Sequence, residues 1–170
     1  MENKRIEHDY IIYVINDEEN TASVIGINGK IGNVYLPRSI NQSSKEYEIT
    51  NISEKALKNR EIGSIQFSAD SKLQTIDKLA FATSVIKSIK IPSSVTYIGE
   101  NVFSGCFNLE IVEIPSDSKL KTIDKDVFLY TKIKSIRIPS KLVELKEGWC
   151  NFTPKLTKIE VSPENPRYRC

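Results

Sequence analysis

The chain has few side chains able to act as nucleophiles, general bases or metal ligands. Its 170 residues include one histidine, His8, and three cysteines, Cys106, Cys150 and Cys170. A histidine-activated nucleophile needs a positioned serine or cysteine beside it, and no such motif surrounds His8. The cysteine spacing also fits no common metal site. The sequence therefore predicts no catalytic residue, no bound metal and no cofactor, and His8 is interpreted as a surface strand residue.

Charge balance and hydrophobicity exclude several other classes of function. Lys and Arg number 24 against 22 Asp and Glu, which gives a net charge of +2. Nucleic-acid binders and polybasic membrane binders normally carry a clear basic excess, and no run approaches the about 20 apolar residues that span a bilayer. We therefore expect neither a nucleic-acid partner nor direct membrane insertion. The polar start at residues 1–5 also predicts no cleavable signal peptide.

A short apolar motif with a nearly constant spacing indicates repeated strands. Its central residues, Ile65, Ile89, Val112, Ile136 and Ile159, are 24, 23, 24 and 23 positions apart. In each copy another apolar residue follows two positions later, so both side chains point to one face of a strand. A Pro follows the strand directly at Pro92, Pro115 and Pro139. Pro37 marks an earlier strand at Val34–Leu36 in the same way.

A second pattern recurs between these strands. An aliphatic residue is followed four and five positions later by an apolar pair, as in Ile52 with Ala56 and Leu57, Ile76 with Ala80 and Phe81, Ile98 with Val102 and Phe103, Ile123 with Val127 and Phe128, and Leu145 with Trp149 and Cys150. This spacing returns side chains to one side of a helical turn, and Ser53, Asp77 and Asp124 stand where an N-cap would. Each unit is thus predicted to be a short strand, a corner and one or two helical turns.

Stacked units of this kind bury their apolar faces against one another in one continuous core. The predicted core includes Ile65, Phe81, Ile89, Phe103, Cys106, Val112, Phe128, Ile136 and Trp149. Residues 70–93 are closely repeated at 117–140, which indicates that a two-repeat unit was duplicated. The link from each strand to the next aliphatic residue alternates between nine and seven positions. This alternation predicts corner loops of two lengths along one edge.

The two ends of the chain depart from the repeat. Residues 1–49 are predicted to form a β-meander cap and the first strand, with an exposed loop over 39–44, and residues 50–170 to form about five repeats of 22–25 residues. The segment after Val161 is rich in turn residues. Either it folds over the last repeat or the chain belongs to a longer protein, and we favour the second. An open C-terminal end would also permit self-association.

The repeat resembles a known family. The pattern I-x-I-P-x-x-L/V-x-x-I-x-x-x-V/A-F-x-x-C-x-x-L-x-x-I, clearest from Ile91 to Val112, is similar to the BspA-like leucine-rich repeat of the treponemal type. The resemblance covers residues 34–168 and implies a leucine-rich repeat solenoid, α/β and strand-rich. It also implies a surface or secreted protein of a host-associated microbe that takes part in adhesion. Trp149 and Cys150 depart from the usual aliphatic–Phe pair.

Two of the cysteines occupy positions inside the repeat. Cys106 stands at the usual cysteine position, where a free thiol packs as a small apolar side chain. Cys150 takes the Phe position of the fifth repeat. Two repeats at strand spacing separate them by about 10 Å, which is too far for a disulfide. We therefore predict structural packing for both, and Cys170 is interpreted as a loose terminal thiol.

The outward side chains of the strands form the best candidate binding surface. Solenoids commonly bind through such a face, and Tyr35, Ile111 and Arg137 are the predicted anchors. An alternative is that the alternating charges on these strands simply neutralise one another. The candidate partner-binding residues are Tyr35, Gln66, Lys90, Ile111, Glu113, Arg137, Lys158 and Glu160.

These observations favour a non-enzymatic protein-recognition module. Its expected partner is a protein ligand, of the host extracellular-matrix or cell-surface kind, bound through the solenoid face in adhesion. The alternative is an intracellular, cytoplasmic leucine-rich repeat scaffold, which the missing export signal and the reduced-looking cysteines favour. An enzyme is not expected, because no paired carboxylates, triad or metal set converges in the sequence.

Overall fold

The computed structural model describes residues 4–29 and 32–169 of the chain. Its N-terminal part is a set of short strands, and the strand predicted at Val34–Leu36 is found as the fourth of them. They are β1 (Lys4–His8), β2 (Ile11–Asn16), β3 (Thr21–Ile27), β4 (Asn33–Leu36), β5 (Ser39–Gln42) and β6 (Lys45–Ile52).

Strands β1, β2 and β3 form an antiparallel meander. Strand β3 then pairs in parallel with β6, and β5 folds back on β6 as an antiparallel hairpin. The prediction of an exposed loop over residues 39–44 is therefore wrong. Ile40 points into the core while Asn41 stays exposed, and this alternation is that of a half-buried strand.

Nine further strands repeat along the chain and, together with β4, fall into two rows. Strands β4, β7, β9, β11, β13 and β15 make up one row, here called the strand face. The two-residue strands β8, β10, β12 and β14 extend the N-terminal sheet in parallel from β6. The bounds of the later strands are β7 (Ser64–Phe67), β8 (Thr75–Ile76), β9 (Ser88–Lys90), β10 (Tyr97–Ile98), β11 (Ile111–Glu113), β12 (Thr122–Ile123), β13 (Ser135–Ile138), β14 (Glu144–Leu145) and β15 (Lys158–Val161).

The prediction of one- or two-turn helices is wrong. Within residues 4–29 and 32–169 no helix is formed, and β-turns fill the segments between the two-residue strands and the strand face. In one such turn segment the N–H of Ala80 donates to the carbonyl of Asp77 at 3.1 Å, which closes a turn. The N–H of Phe81 donates instead to the carbonyl of Val102 in the next repeat, at 3.0 Å. The backbone thus bonds between repeats where a helix would bond within itself.

Left-handed backbone conformations explain why a helix cannot form there. Each turn segment carries two residues of positive φ, four positions apart: Lys55 and Asn59, Leu79 and Thr83, Asn101 and Gly105, Asp126 and Tyr130, Gly148 and Phe152. Positive φ suits the third residue of a type II turn and breaks a right-handed helix. Two successive turns therefore produce the four- and five-residue spacing. The expected N-caps at Ser53, Asp77 and Asp124 consequently have no helix to cap.

The core lies between the strand face, the two-residue strands and the turn segments. Three aromatic rings stack through it, with centroids 5.5 Å apart for Phe81 and Phe103 and 5.7 Å for Phe103 and Phe128. Trp149 meets Phe128 edge-on at 6.2 Å and is only partly buried, because it belongs to the last turn segment. The other residues of the predicted core are buried: Ile65, Phe81, Ile89, Phe103, Cys106, Val112, Phe128 and Ile136.

The segment after β15 folds back over the last repeat, which is one of the two arrangements expected for it. Asn165 is buried, and its side-chain amide donates to the carbonyls of Pro139 at 2.7 Å and Leu142 at 2.9 Å. Ile159 nevertheless stays exposed, although the equivalent residues of the four preceding repeats are buried. The last repeat is therefore less well covered than the others.

Candidate functional site

The strand face presents its outward residues in regular columns because each short strand alternates between core and solvent. Ile89 is buried, for example, while Ser88 and Lys90 on either side are exposed. Seven of the eight candidate partner-binding residues are exposed, and Glu160 is partly exposed. The strand register sets Tyr35 beside Gln66, Lys90 beside Glu113, Arg137 beside Glu160, Ile111 beside Ser88, and Lys158 beside Ser135.

Charged residues of the strand face pair across neighbouring strands. The Lys90 ammonium lies 2.7 Å from the Glu113 carboxylate, and the Arg137 guanidinium lies 3.4 Å from that of Glu160. Lys158 also approaches Glu160, at 2.5 Å, and its hydrogen bond is the largest of the effects that lower the pKa of Glu160. The geometry therefore supports mutual neutralisation for these residues. Such exposed pairs contribute little stability.

Two large side chains on this face point into solvent with no role in the core. Tyr35 on β4 and Ile111 on β11 are each more than half exposed. Both were expected as anchors on the basis of the sequence. Arg137, the third expected anchor, is instead held by Glu160.

A groove of about 550 Å³ lies beside the strand face, at the boundary between two strand pairs. Strands β4 and β7 form one parallel pair, β9 and β11 the next, and β13 and β15 the third. The connectors that follow β7 and β11 are longer than the one that follows β9. The lining of the groove includes Ser71, Pro92 and Asp117 from these connectors. Phe67 at the end of β7 and the candidate residues Gln66 and Lys90 also line it.

Sequence reasoning did not identify this groove, although it contained a signal for it. The alternation of nine- and seven-residue links predicts a short connector between two longer ones. A recessed connector between two projecting ones leaves a depression, so the two loop lengths could have located it.

The residues first considered for chemistry lie apart from this surface. His8 on β1 is 3.3 Å from the carboxylate of its neighbour Asp9, and both side chains are largely exposed. The Cys106 thiol donates to the Phe81 carbonyl at 3.2 Å, and burial raises its pKa, so it is not a ready nucleophile. Cys150 is also a free thiol, and its pKa is likewise raised by burial. Cys170 lies outside the described residues.

The described part of the chain lacks two further features. Among residues 4–29 and 32–169, no group of three or more His, Cys, Asp or Glu side chains is arranged to hold a metal ion. The same residues contain no helix long and apolar enough to cross a membrane.

Several solved structures share the fold of this chain. The pneumococcal vaccine antigen PcpA matches 96% of the chain with a TM-score of 0.77 and 19% identity. The match takes in 51% of that antigen, so the chain spans about half its length. A T. pallidum leucine-rich repeat protein matches with a TM-score of 0.56 and 16% identity, over 92% of this chain and 71% of that one. At these identities the likeness shows the fold alone.

A leucine-rich repeat protein from Bacteroides capillosus also shares the fold, with a TM-score of 0.52 and 16% identity over 93% of this chain and 98% of that one.

Comparison of the sequence itself gives the family. No curated protein matches the chain in sequence. The family model of the BspA type leucine-rich repeat region, however, matches residues 30–167 in six copies. The resemblance seen in the repeat is confirmed, and the chain belongs to the BspA-type leucine-rich repeat family.

Proposed function

We propose that this chain is a non-enzymatic protein-recognition module that binds a host extracellular-matrix or cell-surface protein through its strand face. The observation that carries the proposal is the pair of exposed anchors, Tyr35 and Ile111, on a row of strands whose central inward residues, apart from Ile159, are buried in the core. Such a face is already ordered before binding, which lowers the entropic cost of association. The groove beside Gln66 and Lys90 adds a concave site for a partner side chain.

A place at the cell surface or in the secreted fraction is part of this proposal. It is supported by the fold shared with a pneumococcal vaccine antigen. An intracellular scaffold of the same fold is the second candidate, because Cys106 and Cys150 are free thiols and disulfides are rare in reducing compartments. Both candidates bind proteins, and they differ in where the partner is met.

Accessibility on intact source cells separates the two candidates. Antibody staining without permeabilisation, together with protease shaving, should detect the protein at the surface. Signal that appears only after permeabilisation would reject the adhesion role and leave the scaffold.

Substitution of the two anchors tests the binding face. The double variant Tyr35→Ser and Ile111→Ser should weaken binding of a partner found by screening extracellular-matrix and cell-surface proteins by about tenfold or more, because interface anchors dominate affinity. Val143→Ser is the matched control, since Val143 is exposed but lies in the connector after β13. Equal binding by the double variant and the control would show that the strand face is not the contact surface.

A further inference from the structure

An exposed apolar ridge runs along a different part of the solenoid, at the corner where each turn segment leads into the strand face. Four consecutive repeats each contribute one residue to it: Val85, Phe107, Tyr130 and Phe152, with 41%, 61%, 48% and 67% of their surface exposed. This set is called the corner ridge below. At strand spacing, four repeats cover about 14 Å. Sequence reasoning assigned no role to any of these residues.

The local backbone turns two of these aromatic side chains outward. Tyr130 and Phe152 occupy the second left-handed position of their turn segments, with φ of 59° and 50°. Their rings stack on each other with centroids 5.0 Å apart. The same position in earlier repeats holds Asn59 and Thr83, whose side chains are hydrogen-bonded to each other. This position is therefore polar in the earlier repeats and aromatic in the last two.

Phe107 projects for a different reason. Its corner, residues 105–110, is one residue longer than the corners at 83–87 and 130–134, measured from the left-handed residue to the start of the next strand. The equivalent core positions Ile86, Leu109 and Ile133 are all buried. The extra residue in the longer corner is therefore accommodated on the outside, where Phe107 lies.

Basic residues predominate in the corners that carry the ridge. Between the second left-handed residue of each repeat and its next strand, the five corners carry five basic residues and two acidic ones. This local excess of three exceeds the net charge of +2 for the whole chain. All seven side chains are exposed: Arg60, Lys87, Lys132, Lys134 and Lys155, with Glu61 and Glu110.

One of these lysines is paired with a carboxylate of the corners. Lys134 lies 2.6 Å from Glu110. This hydrogen bond is the main cause that lowers the pKa of Glu110, and the charges of Lys132 and Lys87 act in the same direction. One glutamate cannot neutralise three lysines, so these corners keep a net positive charge.

We propose that the corner ridge is the docking surface for an acidic protein segment that carries aromatic or aliphatic side chains. The apolar groups of that segment would cover Phe107, Tyr130 and Phe152, while its carboxylates would meet Lys132, Lys134 and Lys87. Exposed aromatic groups of this kind are typical of binding sites, and complementary charge supplies orientation and association rate. The inference rests on the proposed role in protein recognition but uses a separate surface.

A protein partner, whose charge varies from place to place, fits this surface better than a uniformly anionic membrane or nucleic acid. Glu61 and Glu110 lie among the basic residues of the corners. A membrane or nucleic-acid backbone would bring negative charge onto both carboxylates, whereas a folded partner can place its carboxylates beside the lysines alone.

Parallel selections from a phage library of random dodecapeptides test the proposal. One selection uses the folded chain and the other uses the triple variant Phe107→Ser, Tyr130→Ser and Phe152→Ser. We expect peptides that are enriched only on the unaltered chain to be net acidic and to contain aromatic or aliphatic residues. The same peptides from both selections, no enrichment, or ridge-dependent peptides that are neutral or basic would overturn the inference.

Charge reversal supplies the second measurement. The double variant Lys132→Glu and Lys134→Glu should weaken binding of a synthesised enriched peptide by about tenfold, and added salt should weaken binding to the unaltered chain. The double variant Lys121→Glu and Lys141→Glu, exposed changes in the connectors after β11 and β13, should leave it unchanged. Peptide binding that survives charge reversal would contradict the proposal. So would binding of phosphatidylserine vesicles or an oligothymidine that requires the three aromatic residues.

The two proposals fail separately. Unchanged partner binding by the variant at Tyr35 and Ile111 would reject the strand-face proposal. The peptide selections would reject the corner-ridge proposal if they gave any of the contrary outcomes named above. They require no knowledge of the natural partner. Unchanged circular dichroism and melting temperature of each variant would show that its fold is intact.

Discussion

Phe103 lies between the rings of Phe81 and Phe128 at the centre of the aromatic stack. All three side chains are fully buried. Removal of the Phe103 ring would break both stacking contacts and leave a cavity. The flanking repeats, each already bonded through its backbone to the repeat of Phe103, cannot readily close it.

We therefore expect Phe103→Ala to lower the free energy of unfolding by about 3–5 kcal/mol. Urea denaturation followed by circular dichroism measures this loss. Lys90→Ala, which removes only an exposed ion pair, should cost less than about 1 kcal/mol. Similar losses for the two variants would show that the aromatic stack does not stabilise the solenoid as described.

Glu100 connects three successive repeats at the residue scale. Its carboxylate lies 3.0 Å from Lys78 in the preceding repeat and 3.4 Å from Lys125 in the following one. The hydrogen bond from Lys78 is the main cause that lowers the pKa of Glu100, and that from Lys125 adds to it against the opposing effect of burial.

A lowered pKa in the folded state stabilises the fold above the ordinary glutamate pKa, and this contribution is lost as the pH falls through the folded value. Glu100→Gln should thus be less stable than the unaltered chain at pH 7. The difference should shrink once the pH falls below about 4.5, the ordinary value. Urea midpoints measured across this range test the prediction, and a difference that grows on acidification would contradict it.

At the scale of the element, the turn segment depends on residues that tolerate positive φ. Lys55 is exposed and has a φ of 59°, whereas its neighbour Glu54 is exposed and does not have a positive φ. A left-handed conformation costs a non-glycine residue roughly 1–2 kcal/mol. Glycine avoids that cost but loses more freedom on folding.

The same substitution should accordingly have different effects at these two neighbouring positions. We expect Lys55→Gly to be neutral or to stabilise the chain, and Glu54→Gly to destabilise it by about 0.5–1 kcal/mol. Thermal unfolding of both variants checks the sign. If Lys55→Gly proves the more damaging of the two, the turn assignment is incorrect.

The elements differ in how far the sequence predicts them. The strands of the strand face follow from alternation, because a period of two admits one backbone form. The spacing of four and five positions between Ile76, Ala80 and Phe81 predicts a helical turn, yet two successive turns return side chains to the same side. The deciding contacts join one repeat to the next, as in the bond from Phe81 to Val102. Local periodicity does not contain that information.

At the scale of the whole molecule, burial changes along the solenoid axis. The central turn segments around Phe81 and Phe103 are covered on both sides by neighbouring repeats. The last segment is covered on one side, so Trp149 is only partly buried and Ile159 is exposed. Stability in repeat proteins is approximately a sum of such nearest-neighbour contacts.

Amide hydrogen exchange should reproduce this gradient. We expect backbone amides in the segment of Trp149 to exchange faster than those in the segments of Phe81 and Phe103, because local opening requires fewer contacts to break. Exchange detected by mass spectrometry on peptic peptides measures the difference. Uniform protection across all segments would contradict a nearest-neighbour description.

The candidate surfaces differ in the same way in how far the sequence predicts them. The residues of the strand face could be named from the sequence because alternation alone places Tyr35 and Ile111 outside. The groove follows from loop lengths, for which the sequence does contain a signal. The corner ridge depends on left-handed positions and on how neighbouring repeats align. Phe107 and Phe152 thus gave no periodic signal.

The only tryptophan of the chain, Trp149, is an intrinsic fluorescence probe of the last repeat. Trp149 meets Phe128 at the final turn segment, and Phe152 of the corner ridge lies three residues further along. Indole fluorescence therefore reports on the last repeat alone, while circular dichroism averages over the whole chain. A fluorescence transition that precedes the dichroism transition would show the solenoid unravelling from this end. A peptide bound on the corner ridge should likewise change the emission, so its affinity can be titrated without a label.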